Sequence, residues 1–201
     1  ILSNGKTLLA LINDILDLSK MEAGRLELRL ERCNLQTVIS DTVEELRSLA
    51  DEKKIALNFR SELKNPWVIN DSTRIRQVII NLLSNAIKFT EQGSVTVIVR
   101  ELPENWIKIM VQDTGIGMTE EEKSQIFEAF RQVDQTLTRK YPGTGLGLAI
   151  TDSLVSLMGG EITVHSVIHQ GSSFEVKLPR EVKEEDNKTY SQSSCQSGHL
   201  Y

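Results

Sequence analysis

The chain has 201 residues, 39% hydrophobic and 25% charged, with a net charge of −5 and a pI of about 5.3. That is enough for one sizeable core plus a smaller appendage, and no uninterrupted apolar run approaches the ~20 residues that span a bilayer. An acidic balance excludes the basic field that draws nucleic acid or anionic lipid. The two cysteines, Cys33 and Cys195, lie far apart and in no motif. Free thiols in a reducing cytosol are therefore expected, rather than a disulfide framework, a metal cluster or a catalytic nucleophile.

Residues 1–23 read as an amphipathic helix, because Leu8, Leu11, Ile12, Ile15, Leu18 and Met21 recur at three- and four-residue spacing. Asn4, Lys6, Asn13, Asp14, Asp17 and Lys20 interrupt the apolar run, so this is no signal-peptide core. The stripe needs a partner helix, and Gly24 supplies a stop. Leu26, Leu28 and Leu30 alternate with Glu27, Arg29 and Glu31, which predicts a half-buried strand. One amphipathic helix is expected over 35–53, then short strands at 55–60 and 67–69. A second helix is expected from Ser72 to Lys88, with Asp71 or Ser72 as its cap. Strands 94–101 and 106–112 flank the turn Pro103-Glu104-Asn105 as a hairpin. The stretch 113–143 is polar and punctuated by glycine, with a short helix near 120–130. A helix over 145–158 stops at Gly159-Gly160, and strands 161–167 and 172–178 turn through His169-Gln170-Gly171. After Pro179 the chain is polar and almost free of aliphatic residues, the composition of a linker or disordered tail. Helices mixed with strands, some in hairpins, indicate an α/β sandwich with a mixed sheet rather than a doubly wound parallel one.

Three segments carry residue types suited to chemistry. On the second helix, Asn81, Asn85 and Lys88 stand four and three residues apart and share one face. Two amides and an ammonium suit a hydrated magnesium ion and a polyphosphate, or simply a solvated surface. Asp113-Thr-Gly115-Ile-Gly117 follows an apolar strand. A carboxylate there can accept a hydrogen bond from an exocyclic amine such as adenine's, and the glycines admit a planar ring or positive φ; an ordinary Asp-Thr-Gly turn is the alternative. Gly143-Thr144-Gly145-Leu146-Gly147 opens a helix, where exposed amides favour phosphate. It has neither the Gly-Lys-Ser/Thr of a P-loop nor the Rossmann spacing, and its glycines could serve packing alone. Between the last two lies Met118–Pro142, long enough for a lid. It contains Phe127 and Phe130, and Arg139 and Lys140 precede the glycine loop within reach of phosphate or of solvent.

Taken in order, Asn-x-x-x-Asn-x-x-Lys, Asp-x-Gly-x-Gly, Phe-x-x-Phe and Gly-x-Gly-x-Gly resemble the N, G1, F and G2 boxes of sensor histidine kinases. Asp71-Ser-Thr-Arg74-Ile-Arg-Gln77 leads into the N box as it does in that family. The resemblance covers roughly residues 1–179. Gyrase, heat-shock chaperone and mismatch-repair ATPases share parts of the pattern, but Lys88-Phe-Thr and the Phe-x-x-Phe element point to the kinase branch.

The resemblance implies a Bergerat-type two-layer sandwich of a mixed sheet and helices, preceded by a single amphipathic helix, with ATP and Mg2+ bound beneath a lid. Asn85 would be the magnesium ligand, and Asn81 and Lys88 the phosphate-side residues with a catalytic part. Asp113 would bind adenine, Gly115 and Gly117 would shape that wall, and Phe130, Arg139 and Lys140 would belong to the lid. Thr144, Gly145, Leu146 and Gly147 would cradle phosphate. Residues 1–23 would be the second helix of a dimerisation and histidine-phosphotransfer domain, 24–180 the catalytic domain and 181–201 a linker or tail. No Ser-His-Glu-type acceptor motif occurs, since the three histidines are His165, His169 and His199. The chain is thus expected to begin inside a longer cytoplasmic or membrane-anchored homodimer, and to bind Mg-ATP without phosphorylating itself. Its expected partners are the histidine-bearing helix and a response-regulator receiver domain, with no nucleic acid. A related ATPase closing a dimer, or a nucleotide-sensing docking module, are the competing readings.

Overall fold

The computed structural model describes residues 12, 15–21, 23–131 and 144–182. Arg139, Lys140, Pro142, Gly143 and the tail beyond 182, including Cys195, lie outside the described residues.

Residues 15–21 are helical, and Leu18 and Met21 turn toward the core while Ile15 and Leu16 are exposed. The helix ends as the glycine predicts. Gly24 sits at φ +61°, its N–H donating to Met21 O at 2.9 Å and that of Arg25 to Lys20 O at 2.8 Å, the bond pair of a Schellman stop. Leu26 and Leu28 are buried as their alternation requires, yet 25–30 forms no ladder, which corrects the strand expected there. The strand is β1 (Glu31–Asn34), antiparallel to β3 (Trp67–Asn70) with Glu31 opposite Asn70. β3 offers only four residues, because at Asp71 the chain turns to cap a helix. Alternation reports a buried side, whereas a ladder needs a neighbour of matching length. The linker is tied instead by Arg29 N–H donating to Asp71 Oδ2 at 2.9 Å.

Asn34 caps α1 (Leu35–Glu45) by accepting from Thr37 N–H. The single helix expected over 35–53 is two, since Leu46 departs from helical geometry (φ −91°, ψ 0°) before α2 (Arg47–Glu52). β2 is Ala56–Glu62. Asp71 caps α3 (Ser72–Phe89), its Oδ1 accepting from Arg74 N–H at 3.0 Å. Ile75, Val78, Ile79, Leu82, Leu83, Ala86 and Ile87 bury one side of α3. Each fully buried aliphatic side chain contributes about 1.5–3 kcal/mol. Arg74, Gln77, Asn81, Asn85 and Lys88 form a straight polar line along the helix, at three- and four-residue spacing.

β4 (Ser94–Leu102), β5 (Trp106–Asp113), β6 (Glu161–Val167) and β7 (Gly171–Pro179) complete a five-stranded sheet of order β2-β4-β5-β7-β6. Only β2–β4 is parallel, so the sheet is mixed as expected. Register aligns Val97, Val111, Phe174 and Val164 in one row and Val99, Ile109, Val176 and Ile162 in the next. These rows meet α3 and α5 (Gly147–Leu157), whose Ile150, Leu154 and Val155 are fully buried. Between β5 and α5 lies the short α4 (Glu120–Gln125), with a Thr119–Glu122 capping box. The described body continues to Val182, which is buried and donates to Ile69 O at 3.0 Å.

Candidate nucleotide site

The polar line of α3 touches both glycine loops. At its middle, Asn81 Nδ2 donates to Gly147 O at 3.1 Å and approaches Thr151 Oγ1 at 3.4 Å. Thr151 in turn donates to Gly147 O at 2.8 Å. Asn81 therefore braces the start of α5. At its end, Phe89 O accepts from Ile116 N–H at 3.3 Å, which fastens the Asp113 turn to the last turn of α3. Between these joints stand Asn85 and Lys88, both half-buried. Among the described residues no hydrogen bond engages the Asn85 amide and no carboxylate pairs with Lys88. Burial pulls the Lys88 pKa below its usual value, and its Nζ lies 4.9 Å from the Phe89 ring centroid.

Asp113 closes β5 with one oxygen occupied. Its Oδ1 accepts from Gly115 N–H at 2.8 Å and Ser172 N–H at 3.2 Å. Oδ2 takes no hydrogen bond from the described residues. Burial raises the carboxyl above its ordinary pKa, and the two amides oppose that rise. Gly115 is forced by its surroundings, because a Cβ there would lie 2.5 Å from Phe89 O and 2.8 Å from Asp113 Oδ1. Gly117 sits at φ +68°, and a Cβ would come 2.0 Å from Val167 O. Two further bonds clamp this turn to the β6–β7 connection: Met118 N–H to Ser166 Oγ at 2.9 Å, and His169 N–H to Ile116 O at 2.7 Å.

In the second glycine loop, Leu146 N–H donates to Thr144 Oγ1 at 3.1 Å and the Leu146 side chain is fully buried. Only backbone is thus presented there. Among the described residues no side chain caps α5, so the amides of its first turn keep their capacity for an anion. Gly145, at φ +72°, accepts from Phe130 N–H at 3.0 Å and leaves no room for a Cβ beside Arg131 O. Phe130 itself has φ +63° and is 67% exposed. The structure places Asn81, Asn85 and Lys88 on α3, and Asp113, Gly115, Gly117, Thr144, Gly145, Leu146 and Gly147 on two loops that are each bonded to α3, with Phe130 attached through the second loop.

Ser172, Ser166 and Thr151 escaped the sequence reading. Ser172 acts through its main chain, which any residue supplies, and Ser166 and Thr151 have partners distant in sequence. Among the described residues no group of three His, Cys, Asp or Glu could hold a metal. A cation here would be limited to an amide oxygen, water and phosphate, the donor set that suits magnesium.

Comparison with known proteins identifies the family. A family model described as histidine kinase-, DNA gyrase B- and HSP90-like ATPase matches residues 70–182, more than half the chain. The signal transduction histidine-protein kinase BarA of Escherichia coli (strain K12) is 44% identical over 177 residues, 85% of this chain and 19% of BarA. The circadian input-output histidine kinase CikA of Synechococcus elongatus is 44% identical over 181 residues, 89% of this chain and 24% of CikA. The chain thus spans about a fifth to a quarter of these curated relatives. Among solved structures, full-length ShkA in complex with AMPPNP superposes with a TM-score of 0.81 at 32% identity, over 90% of this chain and 37% of ShkA. The catalytic domain of histidine kinase ThkA gives 0.68 at 27%, over 79% of this chain and 99% of that domain. With the family match running from Asn70 through both glycine loops to Val182, the chain belongs to the histidine kinase-, DNA gyrase B- and HSP90-like ATPases, and its relatives there are sensor histidine kinases.

Proposed function

We propose that this chain is the ATP-binding catalytic part of a sensor histidine kinase. It would present the γ-phosphoryl group of Mg-ATP to a histidine on another helix, for relay to a response-regulator aspartate. The observation that carries this is the double attachment of α3, bonded through Asn81 to the second glycine loop and through Phe89 to the Asp113 turn. One helix would thereby hold both the wall proposed for the base and the loop proposed for the phosphates. Asp113 Oδ2 would accept the adenine amine, and the Asn85 oxygen would hold magnesium. Lys88 and the uncapped amides of α5 would meet phosphate oxygens. A bound magnesium ion would supply charge neutralisation at the phosphates. Asn81 would act by holding the loop, since its amide nitrogen is already engaged. Phe130, Arg139 and Lys140 would belong to the lid.

In the same reading, residues 1–23 are the second helix of the dimerisation domain, 24–180 the catalytic domain and 181–201 the exit segment. Exposed Ile12, Ile15 and Leu16 would pack on the histidine-bearing helix and a second copy in a homodimer. The relatives' names as histidine kinases, one of them for signal transduction, support a receiver domain as the next partner, and a cytoplasmic site of action belongs to the same proposal.

Calorimetry tests the proposal. Wild type should bind Mg-ATP, and N85A should bind about tenfold more weakly, roughly 1.4 kcal/mol, with the gap closing when magnesium is chelated. Absence of binding heat from the wild type overturns the reading. An N85A affinity equal to wild type in magnesium removes Asn85 as the ligand.

A further inference from the structure

The carbonyls that end α3 have a full set of partners, and one side chain supplies most of them. Ala86 O accepts from Thr90 N–H at 3.1 Å and from its hydroxyl at 2.7 Å. Lys53 Nζ donates to Ile87 O at 2.8 Å, Lys88 O at 2.7 Å and Thr90 O at 3.2 Å. Within this run only Phe89 O is left over, and Ile116 N–H of the Asp113 turn takes it at 3.3 Å. Lys53 is half-buried just after α2, on a segment that carries none of the motif residues.

A cation near a helix C-terminus stabilises any helix modestly through the dipole. The arrangement here does more, because the gripped carbonyls lie on both sides of the one that meets the Asp113 turn. Gly115 allows no slack at that contact: a Cβ would sit 2.5 Å from Phe89 O and 2.8 Å from Asp113 Oδ1. A rotation of the 87–90 turn therefore moves the Asp113 carboxylate directly. The second glycine loop is fastened to α3 farther back, at Asn81, outside the run that Lys53 grips.

We infer that Lys53 is a positioning residue for base recognition: by fixing the carbonyls around Phe89, its ammonium sets where Asp113 meets the exocyclic amine of the nucleotide. The inference rests on the nucleotide-binding reading above.

The test uses this chain as wild type, K53M and K53Q, titrated calorimetrically with Mg-ATP and Mg-ITP, whose base bears a carbonyl in place of the amine. Wild type should prefer ATP. K53M should lose about tenfold of that preference, through weaker ATP binding with ITP little changed. K53Q, with two N–H donors, should keep most of it. A K53M protein that retains the preference, or that binds both nucleotides more weakly by one common factor, overturns the inference and reduces Lys53 to a structural cap. If K53M does not fold, K53Q decides: a partial loss supports the inference, and an unchanged preference overturns it. Failure of wild type to bind ATP, or to prefer it, refutes the nucleotide reading instead.

Discussion

Asp113 shows how one side chain is tuned by its neighbours. Two amides hold Oδ1 while burial raises the carboxyl pKa above the ordinary value. Only the ionised form presents Oδ2 purely as an acceptor. Since the folded pKa is raised, the ionised fraction is full well above it and falls as pH drops through it. That fall begins at higher pH than for an exposed aspartate. ATP affinity in wild type should therefore weaken on mild acidification more than in D113N, whose affinity should be low and free of this component. Parallel profiles measured by calorimetry across acidic pH would remove Asp113 from base binding. The sequence made this residue legible through the strand, the carboxylate and the glycines behind it. It did not show why the glycines are needed: the nearest atoms that exclude a Cβ at 115 and 117 belong to Phe89 and Val167, distant along the chain.

At the scale of elements, helix ends were legible in the sequence, whereas the break at Leu46 was not. Gly24 and Gly159 end helices in the left-handed conformation with the paired bonds of a Schellman stop, and Asp71 caps α3. The strand over 26–30 was misplaced because pairing is non-local and β3 had only four residues to offer. The attachment of the N-terminal helix was equally hidden. Arg74 Nη1 bonds Asp17 Oδ2 at 2.9 Å and Gln77 Oε1 at 2.8 Å, and Gln77 Nε2 reaches Asp17 at 3.3 Å. Arg74 and Gln77 head the same polar line that bears Asn81, Asn85 and Lys88, so the clamp and the nucleotide residues share one rigid helix. Asp17 and Arg74 are about four-fifths buried, with side-chain exposures of 19% and 21%, and losing the charge should cost about 1–2 kcal/mol of local stability. In D17N, amides of residues 15–21 should exchange faster in hydrogen-exchange experiments while ATP affinity is unchanged. Unchanged exchange would show that Leu18 and Met21 alone hold the helix.

Across the whole molecule, the proposed chemistry falls on one helix and the two loops it fastens, over a sheet whose rows of valine and isoleucine give a stiff base. The order of the four motifs points to this assembly, because in the proposed reading each motif supplies a different part of one ligand site. The cross-links among the motifs were not legible: Asn81 to Gly147, Phe89 to Ile116, and the Lys53 grip on the end of α3 all join distant segments through main-chain atoms. The central claim is that these segments enclose a single nucleotide. Backbone NMR of the chain titrated with Mg-AMPPNP tests it most directly. The amides of Asn85, of Asp113 to Gly117 and of Thr144 to Gly147 should shift together, with one common dissociation constant. Shifts confined to one of these segments, or separate constants for the Asp113 turn and the second glycine loop, would contradict it.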